Sequence, residues 1–322
     1  MNDPLKISAE VQALLVCPAC RCGLRLDGDK LVCEGQGRGC DLSFPVVAGV
    51  PVLINEANSL FSIADYLERK HTYVKPASRV RDVVGRFAPD LSLNLRGKDN
   101  YRKLSRLLRG TRDPAKVLVI GGRVPGIGME QLAGSRHVEL VETDVEFGPR
   151  TQVICDAHDL PFADGSFDAV VAQAVLESVV DPYRCVQEMH RILAAGGLIY
   201  AETPFMAPVH AGAYDFTRFT HLGHRRLFRC FTEIDSGAVA GTGTALALSL
   251  QHFLYSFLNG RVGRLPLRIF SRFAFFGLKY FDYASIRTRG TLDGAAGLYF
   301  LGRKSDQLLS DRELVRQYKG IL

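Results

Sequence analysis

No run of 18 apolar residues occurs anywhere in this 322-residue chain, and no charged-then-apolar leader opens it. The first absence argues against a membrane-spanning helix, and the second gives no sign of secretion. Charge of one sign is also scarce. A net charge of +6 is too mild to argue by itself for a nucleic-acid partner. A disulfide-like cysteine pattern is missing too. Five of the eight cysteines fall in the first 40 residues, and Cys155, Cys185 and Cys230 are scattered singly. That distribution fits a metal site plus buried thiols in a reducing cytoplasm better than a disulfide framework. What remains is ordinary for a folded soluble protein, 47% hydrophobic and 23% charged. The length allows about two domains.

The cysteine-rich end reads as a small β domain over residues 1–56. Cys17 and Cys20 form a CxxC knuckle, and Cys33 and Cys40 follow among strand-like segments (Leu24–Leu26, Lys30–Cys33, Leu42–Val47). A tetrahedral zinc ion takes four such thiolates, and a tight CxxC turn presents two of them on one side. The second pair is spaced more widely than a standard knuckle, which Gly35, Gly37 and Gly39 make tolerable. Cys22 is a spare for Cys20. The alternative is a β element with incidental cysteines. Residues 57–112 are expected to be a helical linker, with an apolar stripe at Tyr101, Leu104, Leu107 and Leu108.

From Lys116 onward the pattern changes to β-α alternation, the mark of a mostly parallel sheet. The run Lys116–Ile120 ends in Gly121-Gly122, with Gly126 and Gly128 beyond. A strand breaking into a Gly-rich turn lets backbone N–H groups approach a ligand closely. The second strand ends at Asp144, placed to accept from ribose hydroxyls, with Glu142 as competitor. The third ends at Asp156, a carboxylate suited to an exocyclic amine, beside Ala157. Phe167–Ala172 is the fourth strand, Tyr183–Leu193 a helix, and Leu198–Glu202 the fifth strand.

Two stretches resemble known families. LLVCPAC, LVC and SFPVVAGVPVLI (residues 13–54) resemble the small zinc-ribbon protein that binds and activates tRNA, ribosomal and release-factor methyltransferases. That resemblance implies an adaptor with a structural zinc. VLVIGG, DAHDLPFADGSFDAVVAQAVLESVVDP and EMHRILAAGGLIYAETPF resemble a class I S-adenosylmethionine-dependent methyltransferase of the quinone-biosynthesis and small-molecule branch, over roughly residues 113–240. It implies an α/β, Rossmann-like, seven-stranded sheet in a domain at 113–304. It also implies S-adenosylmethionine as cofactor. Gly121, Gly122 and Gly126 would face its methionine half, Asp144 its ribose, and Asp156 and Ala157 its adenine. Gln173 would lie near the sulfonium. The chain departs from the pattern at Val119, where an acid is usual, in the irregular loop Gly-Gly-Arg-Val-Pro-Gly-Ile-Gly at 121–128, and at Ser178, where many relatives carry His. A non-catalytic binding module is the alternative these departures leave open.

The acceptor is less legible. Gln173-Ala174-Val175-Leu176 stands where amino-methylating nucleic-acid enzymes carry an Asn/Asp-Pro-Pro-aromatic loop. That absence points to O- or C-methylation of a small, glycan- or lipid-linked acceptor. RNA or a translation factor is the alternative acceptor, suggested by the ribbon's relatives. Polar residues at 204–221 are the candidate catalytic set. His210 or His221 is a candidate general base, Asp215 its orienting partner, and Arg218 an anion binder. The competing reading is a structural Asp215–Arg218 ion pair. Thr232–Ala240 and Ala296–Arg303 suit the last two strands, leaving 241–290 as an insertion. Residues 259–289 hold Arg261, Arg264, Arg268, Arg272, Lys279, Arg287 and Arg289 against Asp282 alone, with seven aromatics within 270–283. The expected reading is a helical lid over the site. Peripheral contact with the inner face of a membrane is the second reading. Residues 305–322 close the chain as a polar helix.

Overall fold

A computed structural model of the chain describes residues 5–69, 88–260 and 263–321. The linker's middle (70–87) and Arg261 lie outside the described residues. Eleven strands form one sheet: β1 (Leu24–Asp27), β2 (Lys30–Cys33), β3 (Ser43–Val47), β4 (Val50–Leu53), β5 (Ala115–Ile120), β6 (Val138–Asp144), β7 (Val153–Cys155), β8 (Phe167–Gln173), β9 (Leu193–Pro204), β10 (Phe231–Ala240) and β11 (Gly297–Lys304). Their order is β1-β2-β3-β4-β7-β6-β5-β8-β9-β11-β10. The sheet is thus mixed and longer than the seven strands expected. Its larger part, β7-β6-β5-β8-β9-β11-β10, has five parallel strands, then β11 antiparallel to them, then β10 antiparallel to β11 and so aligned again with the five.

The excess arises because the cysteine-rich end is not a detached module. Its last strand runs parallel to the β7 edge, with Val52 opposite Ile154 and Leu53 opposite Cys155. All four of these residues are buried. An open sheet edge presents unpaired N–H and C=O groups, and β4 covers this one. The knuckle docks separately: Arg21 donates to the Leu160 carbonyl (2.7 Å) and to Glu188 Oε2 (2.8 Å).

Every residue of β5 is buried, as a central parallel strand requires. Its alternate side chains enter different cores: Leu118 and Ile120 on the ribbon side, Val117 and Val119 on the other. The second core is closed by helix Gly97–Leu108, which buries Tyr101, Leu104 and Leu108 at helical spacing. Helix Pro182–Ile192 covers the first core; Asp181 caps it by accepting from the Arg184 N–H, and Pro182 opens it. Among the described residues no helix is long and apolar enough to cross a membrane. The closing segment is helical only over Asp311–Arg316.

The insertion leaves β10 and rejoins β11 at the carboxyl-end side of the sheet, where a lid was expected, with Gly297 opposite both Ala240 and Pro204, but it does so at the β10 edge. Asp282 anchors it by accepting from the backbone N–H of Gly241 (3.0 Å), Gly243 (2.7 Å) and Thr244 (3.1 Å), at the start of helix Thr242–Tyr255 beyond β10. Lys279 and Arg272 tie it to the carbonyls of Asp90 and Ala88. That puts it at the far edge from β5–β7. Its aromatics face out instead of forming a buried cover: Phe253, Phe257, Phe270, Phe273 and Phe281 are all more than half exposed.

Candidate active site

The chain order reverses direction on either side of β5: β6 and β7 lie to one side, β8 and β9 to the other. Ligands of open α/β sheets bind outside the carboxyl ends of the strands at such a point. A cleft of about 200 Å³, open at its mouth, is found there. Gly121, Asp144, Asp156 and Ala157 line it, from the ends of β5, β6 and β7, with Ala174, Val175 and Ser178 after β8. Leu60 and Phe61 of the linker and Tyr214 of the 205–220 loop form the rest of the rim. Phe61 and Tyr214 stack at 5.9 Å.

Asp156 is 6% exposed. Burial raises its pKa, but hydrogen bonds from His158 and Ser59 outweigh that and hold it below the usual carboxylate value. Its Oδ1 accepts from the His158 N–H (3.0 Å) and Nδ1 (2.6 Å), and its Oδ2 from Ser59 Oγ (2.6 Å). His158 Nε2 accepts from the Asp181 N–H at 3.0 Å. That bond assigns the ring proton to Nδ1. A carboxylate offers about four acceptor positions, so Oδ2 retains one. Ser59 is the residue that inspection of the sequence passed over; its signal was only its place just after the ribbon.

Asp144 accepts from the Arg123 N–H (3.0 Å) and the Glu146 N–H (2.9 Å), one on each oxygen. These bonds tie the glycine loop to β6. Burial is the main influence on its carboxyl and raises its pKa. Glu142, the competitor, is held bidentately by Arg150 at 2.8 and 2.9 Å and does not line the cleft. Of the three candidate glycines only Gly121 lines it, at φ +75°. Gly122 backs onto Glu142. A Cβ at Gly126 would lie 1.6 Å from Gln173 Oε1, so Gly126 makes room for that side chain.

Gln173 itself turns away from the cleft. It donates to Glu202 (2.8 Å) and accepts from the Tyr101 hydroxyl (2.9 Å). Glu202 also accepts from Asn94 (2.8 Å) and from the Tyr200 hydroxyl. Burial pushes the Glu202 carboxyl up to about 7. The expectation of Gln173 beside a sulfonium is therefore not met: its amide is spent in this buried network.

The 204–221 set also divides. Arg218 commits all five N–H donors: bidentately to Asp215, and to the carbonyls of Ala207, Pro208 and Thr217. It has none left for a substrate anion, so the ion-pair reading describes it. Arg218 likewise holds the Asp215 carboxyl well below its ordinary value. His221 sits apart, buried at the start of helix His221–Leu227, with Nε2 3.4 Å from Ser236 Oγ on β10. Burial lowers its pKa. His210 stands between two carboxylates, Glu177 Oε1 at 3.4 Å and Asp215 Oδ2 at 3.5 Å. Glu177 is fully buried, and neither carboxylate oxygen has a hydrogen-bond partner among the described residues. The Glu177 contact raises the His210 pKa above its ordinary value.

At the other end of the cleft's support, the sulfurs of Cys17, Cys20, Cys33 and Cys40 all lie within 4.8 Å of one another. Cys17–Cys40 is 3.8 Å and Cys20–Cys33 is 3.3 Å. Tetrahedral thiolates at zinc–sulfur distance would be about 3.8 Å apart, so the set fits a closed tetrahedral ion. Gly35 is needed there for space, since a Cβ would come within 3.1–3.2 Å of three sulfurs. Cys22 is outside the four-sulfur set.

With this geometry in place, likeness to known proteins can be read. Residues 129–201 match the family model of a methyltransferase domain. The match takes in β6–β8 and most of β9 and begins just past the irregular glycine loop. The chain is 40% identical over 73 residues to a demethylmenaquinone methyltransferase of Clavibacter sepedonicus, covering 23% of this chain and 25% of that protein. It is 31% identical over 113 residues to the ubiquinone/menaquinone biosynthesis C-methyltransferase UbiE of Geobacter sp. strain M21, covering 33% and 44%. The chain thus spans less than half the length of these curated relatives. A chain from the complex between the Haloferax volcanii Trm112 methyltransferase activator and a methyltransferase superposes with a TM-score of 0.40 at 16% identity, covering 65% of this chain and 92% of that one.

His210 generates a pH prediction. Its folded pKa is raised, so its contribution to stability is fully present below the ordinary histidine value of 6.5 and is lost as pH rises through the folded value. His210→Ala should therefore destabilise the protein more at pH 6 than at pH 9 in denaturant titrations. An equal deficit at both pH values contradicts the ion-pair role.

Proposed function

We propose that this chain is an S-adenosylmethionine-dependent methyltransferase acting on a small, glycan- or lipid-linked acceptor by O- or C-methylation. The observation that carries the reading is the cleft at the β5/β8 reversal, with one carboxylate at the end of β6 and one at the end of β7. Asp144 keeps an acceptor position on each oxygen for ribose hydroxyls, and Asp156 keeps one on Oδ2 for the adenine amine, beside Ala157. Gly121 allows the first loop to approach the methionine half. The bound cofactor supplies an electrophilic methyl group. The chain's part is to hold and orient both reactants and to exclude water under Phe61 and Tyr214. Since Arg218 and Gln173 are committed elsewhere and His221 does not line the cleft, positioning carries the chemistry. The quinone-methyltransferase relatives support a small acceptor.

Calorimetry with S-adenosylmethionine tests this directly. Binding should weaken at least tenfold, about 1.4 kcal/mol, in Asp156→Ala that retains its circular dichroism. Absence of binding by the unaltered chain sinks the catalytic reading and leaves a non-catalytic module.

The cysteine-rich end is read as a zinc ribbon fused in cis, its ion structural and closed by Cys17, Cys20, Cys33 and Cys40. All eight cysteines are unpaired, which supports a reducing cytoplasmic setting. Elemental analysis of freshly purified protein should give one zinc per chain, and Cys33→Ser should lower both zinc content and thermal stability; well under one metal per chain rejects the ion.

The insertion is read as a peripheral contact with the inner membrane face. Phe257 and Phe281 are 70% and 68% exposed. The only carboxylate between residues 242 and 292, Asp282, is buried, while Arg264, Arg287 and Arg289 are exposed. Exposed aromatics beside uncompensated cations suit an anionic lipid surface. The chain should float with vesicles containing phosphatidylglycerol, and Phe253→Ser/Phe257→Ser should abolish this; no flotation of the unaltered chain removes the membrane from the account.

A further inference from the structure

A second cavity, of about 470 Å³, lies between β10, β11 and the segment returning from the insertion, and it shares no residue with the cleft. Four cations line it, Arg96, Arg287, Arg289 and Lys319, against one carboxylate, Asp235. Asp235 is already neutralised: Lys103 Nζ lies 2.7 Å away, and the Tyr299 hydroxyl donates to it at 3.0 Å. Lys319 is likewise matched, by Glu233.

The three guanidiniums are not matched. Arg287 makes no hydrogen bond or ion pair among the described residues. Among the described residues, the Arg96 guanidinium hydrogen-bonds only to the Tyr299 hydroxyl, at 3.4 Å, lies over the Tyr299 ring at 6.0 Å, and keeps a buried Nε without an acceptor. Arg289 donates to the Lys319 carbonyl at 3.2 Å and meets no carboxylate among the described residues. Like charges gathered around one cavity repel unless an anion enters. A buried donor without an acceptor costs about 1–3 kcal/mol. Guanidinium forks match phosphate oxygens two at a time, and three forks suit a group with several charged oxygens. Tyr299 and Leu292 supply an apolar wall beside them.

We propose that this cavity binds a small ligand carrying a phosphate ester or diphosphate, its oxygens taken by Arg96, Arg287 and Arg289 and its apolar part by Tyr299 and Leu292. The site lies beyond the cofactor cleft and does not depend on the cofactor reading. Tyr299 stands opposite Glu202 in the ladder, and the Glu202–Gln173 bond leads on to the end of β8. The two cavities are therefore separated by the buried network, about two to three strand spacings of 4.8 Å.

Titration of the full chain with inorganic pyrophosphate, followed by calorimetry and by ³¹P resonance, tests the proposal. Saturable one-to-one binding is expected, weakening as salt is raised. Arg287→Gln, a change at an exposed and partnerless residue, should reduce affinity tenfold or more and leave S-adenosylmethionine binding as it was. Arg226→Gln, on another face, should leave pyrophosphate binding unchanged. Absence of saturable binding overturns the proposal, and so does equal affinity in the unaltered chain and Arg287→Gln, or an equal loss in Arg226→Gln.

Discussion

Two backbone pairings, Val52 with Ile154 and Leu53 with Cys155, determine much of what surrounds the cleft. They append a four-stranded cysteine-rich unit to the β7 edge. β7 ends one residue before Asp156, and β4 runs parallel to it. The chain leaving β4 therefore emerges at the same end of the sheet as the cleft. Asn55 and Asn58 reach Asp159 at 3.0 and 3.2 Å, and Ser59 reaches Asp156. Leu60 and Phe61 become part of the rim. In an antiparallel arrangement β4 would deliver this segment to the opposite end. The direction of one short strand thus makes the ribbon a component of the site.

Asp156 illustrates the consequence. A carboxylate only 6% exposed resists ionisation unless donors compensate. Its compensation comes from two sources: His158, just after β7, and Ser59 in the linker. His158 is oriented in turn by the Asp181 N–H, and Asp181 caps helix Pro182–Ile192. The ionised state of a cleft carboxylate therefore depends on the helix start on one side and on the docked ribbon on the other. The four clustered thiols belong to the same β unit that delivers Ser59 to the cleft.

The strands of the larger sheet were legible because each is a short apolar run bounded by Gly, Pro or Asp. The observed β5 and β8 fall where Lys116–Ile120 and Phe167–Ala172 were read, β6 ends at the expected Asp144, β7 stops one residue before the expected Asp156, and β9 contains Leu198–Glu202. The cysteine quartet was legible for the same local reason, through its spacing. Side-chain commitments were not. Whether Arg218 is free or saturated depends on carbonyls ten residues away. Whether Gln173 faces a ligand or Glu202 depends on a neighbouring strand. The placement of the insertion turned on Asp282, a lone acid in a basic segment, whose value as a cap for backbone N–H groups is invisible until the chain returns to Gly241. Helical spacing of aromatics was an ambiguous signal, because it looks alike for a stripe facing a core and one facing outward.

Glu202 connects the two cavities and explains a choice that spacing alone could not. A carboxyl group this deeply buried is tolerated because Asn94, Gln173 and Tyr200 all donate to it. Each donor belongs to a different element: the approach to helix Gly97–Leu108, the end of β8, and β9 itself. Asn94 Oδ1 also accepts from the Gly97 N–H at 2.7 Å, so the same side chain that satisfies Glu202 fixes the start of the helix covering the second core. Gly126 must lack a side chain for Gln173 to reach this network. The irregular glycine loop is thus shaped from behind, by a polar core, as much as by any ligand in front of it. A Cβ at 126 would drive the Gln173 amide off its bond to Glu202, so the glycine at that position is fixed by the polar core behind the loop.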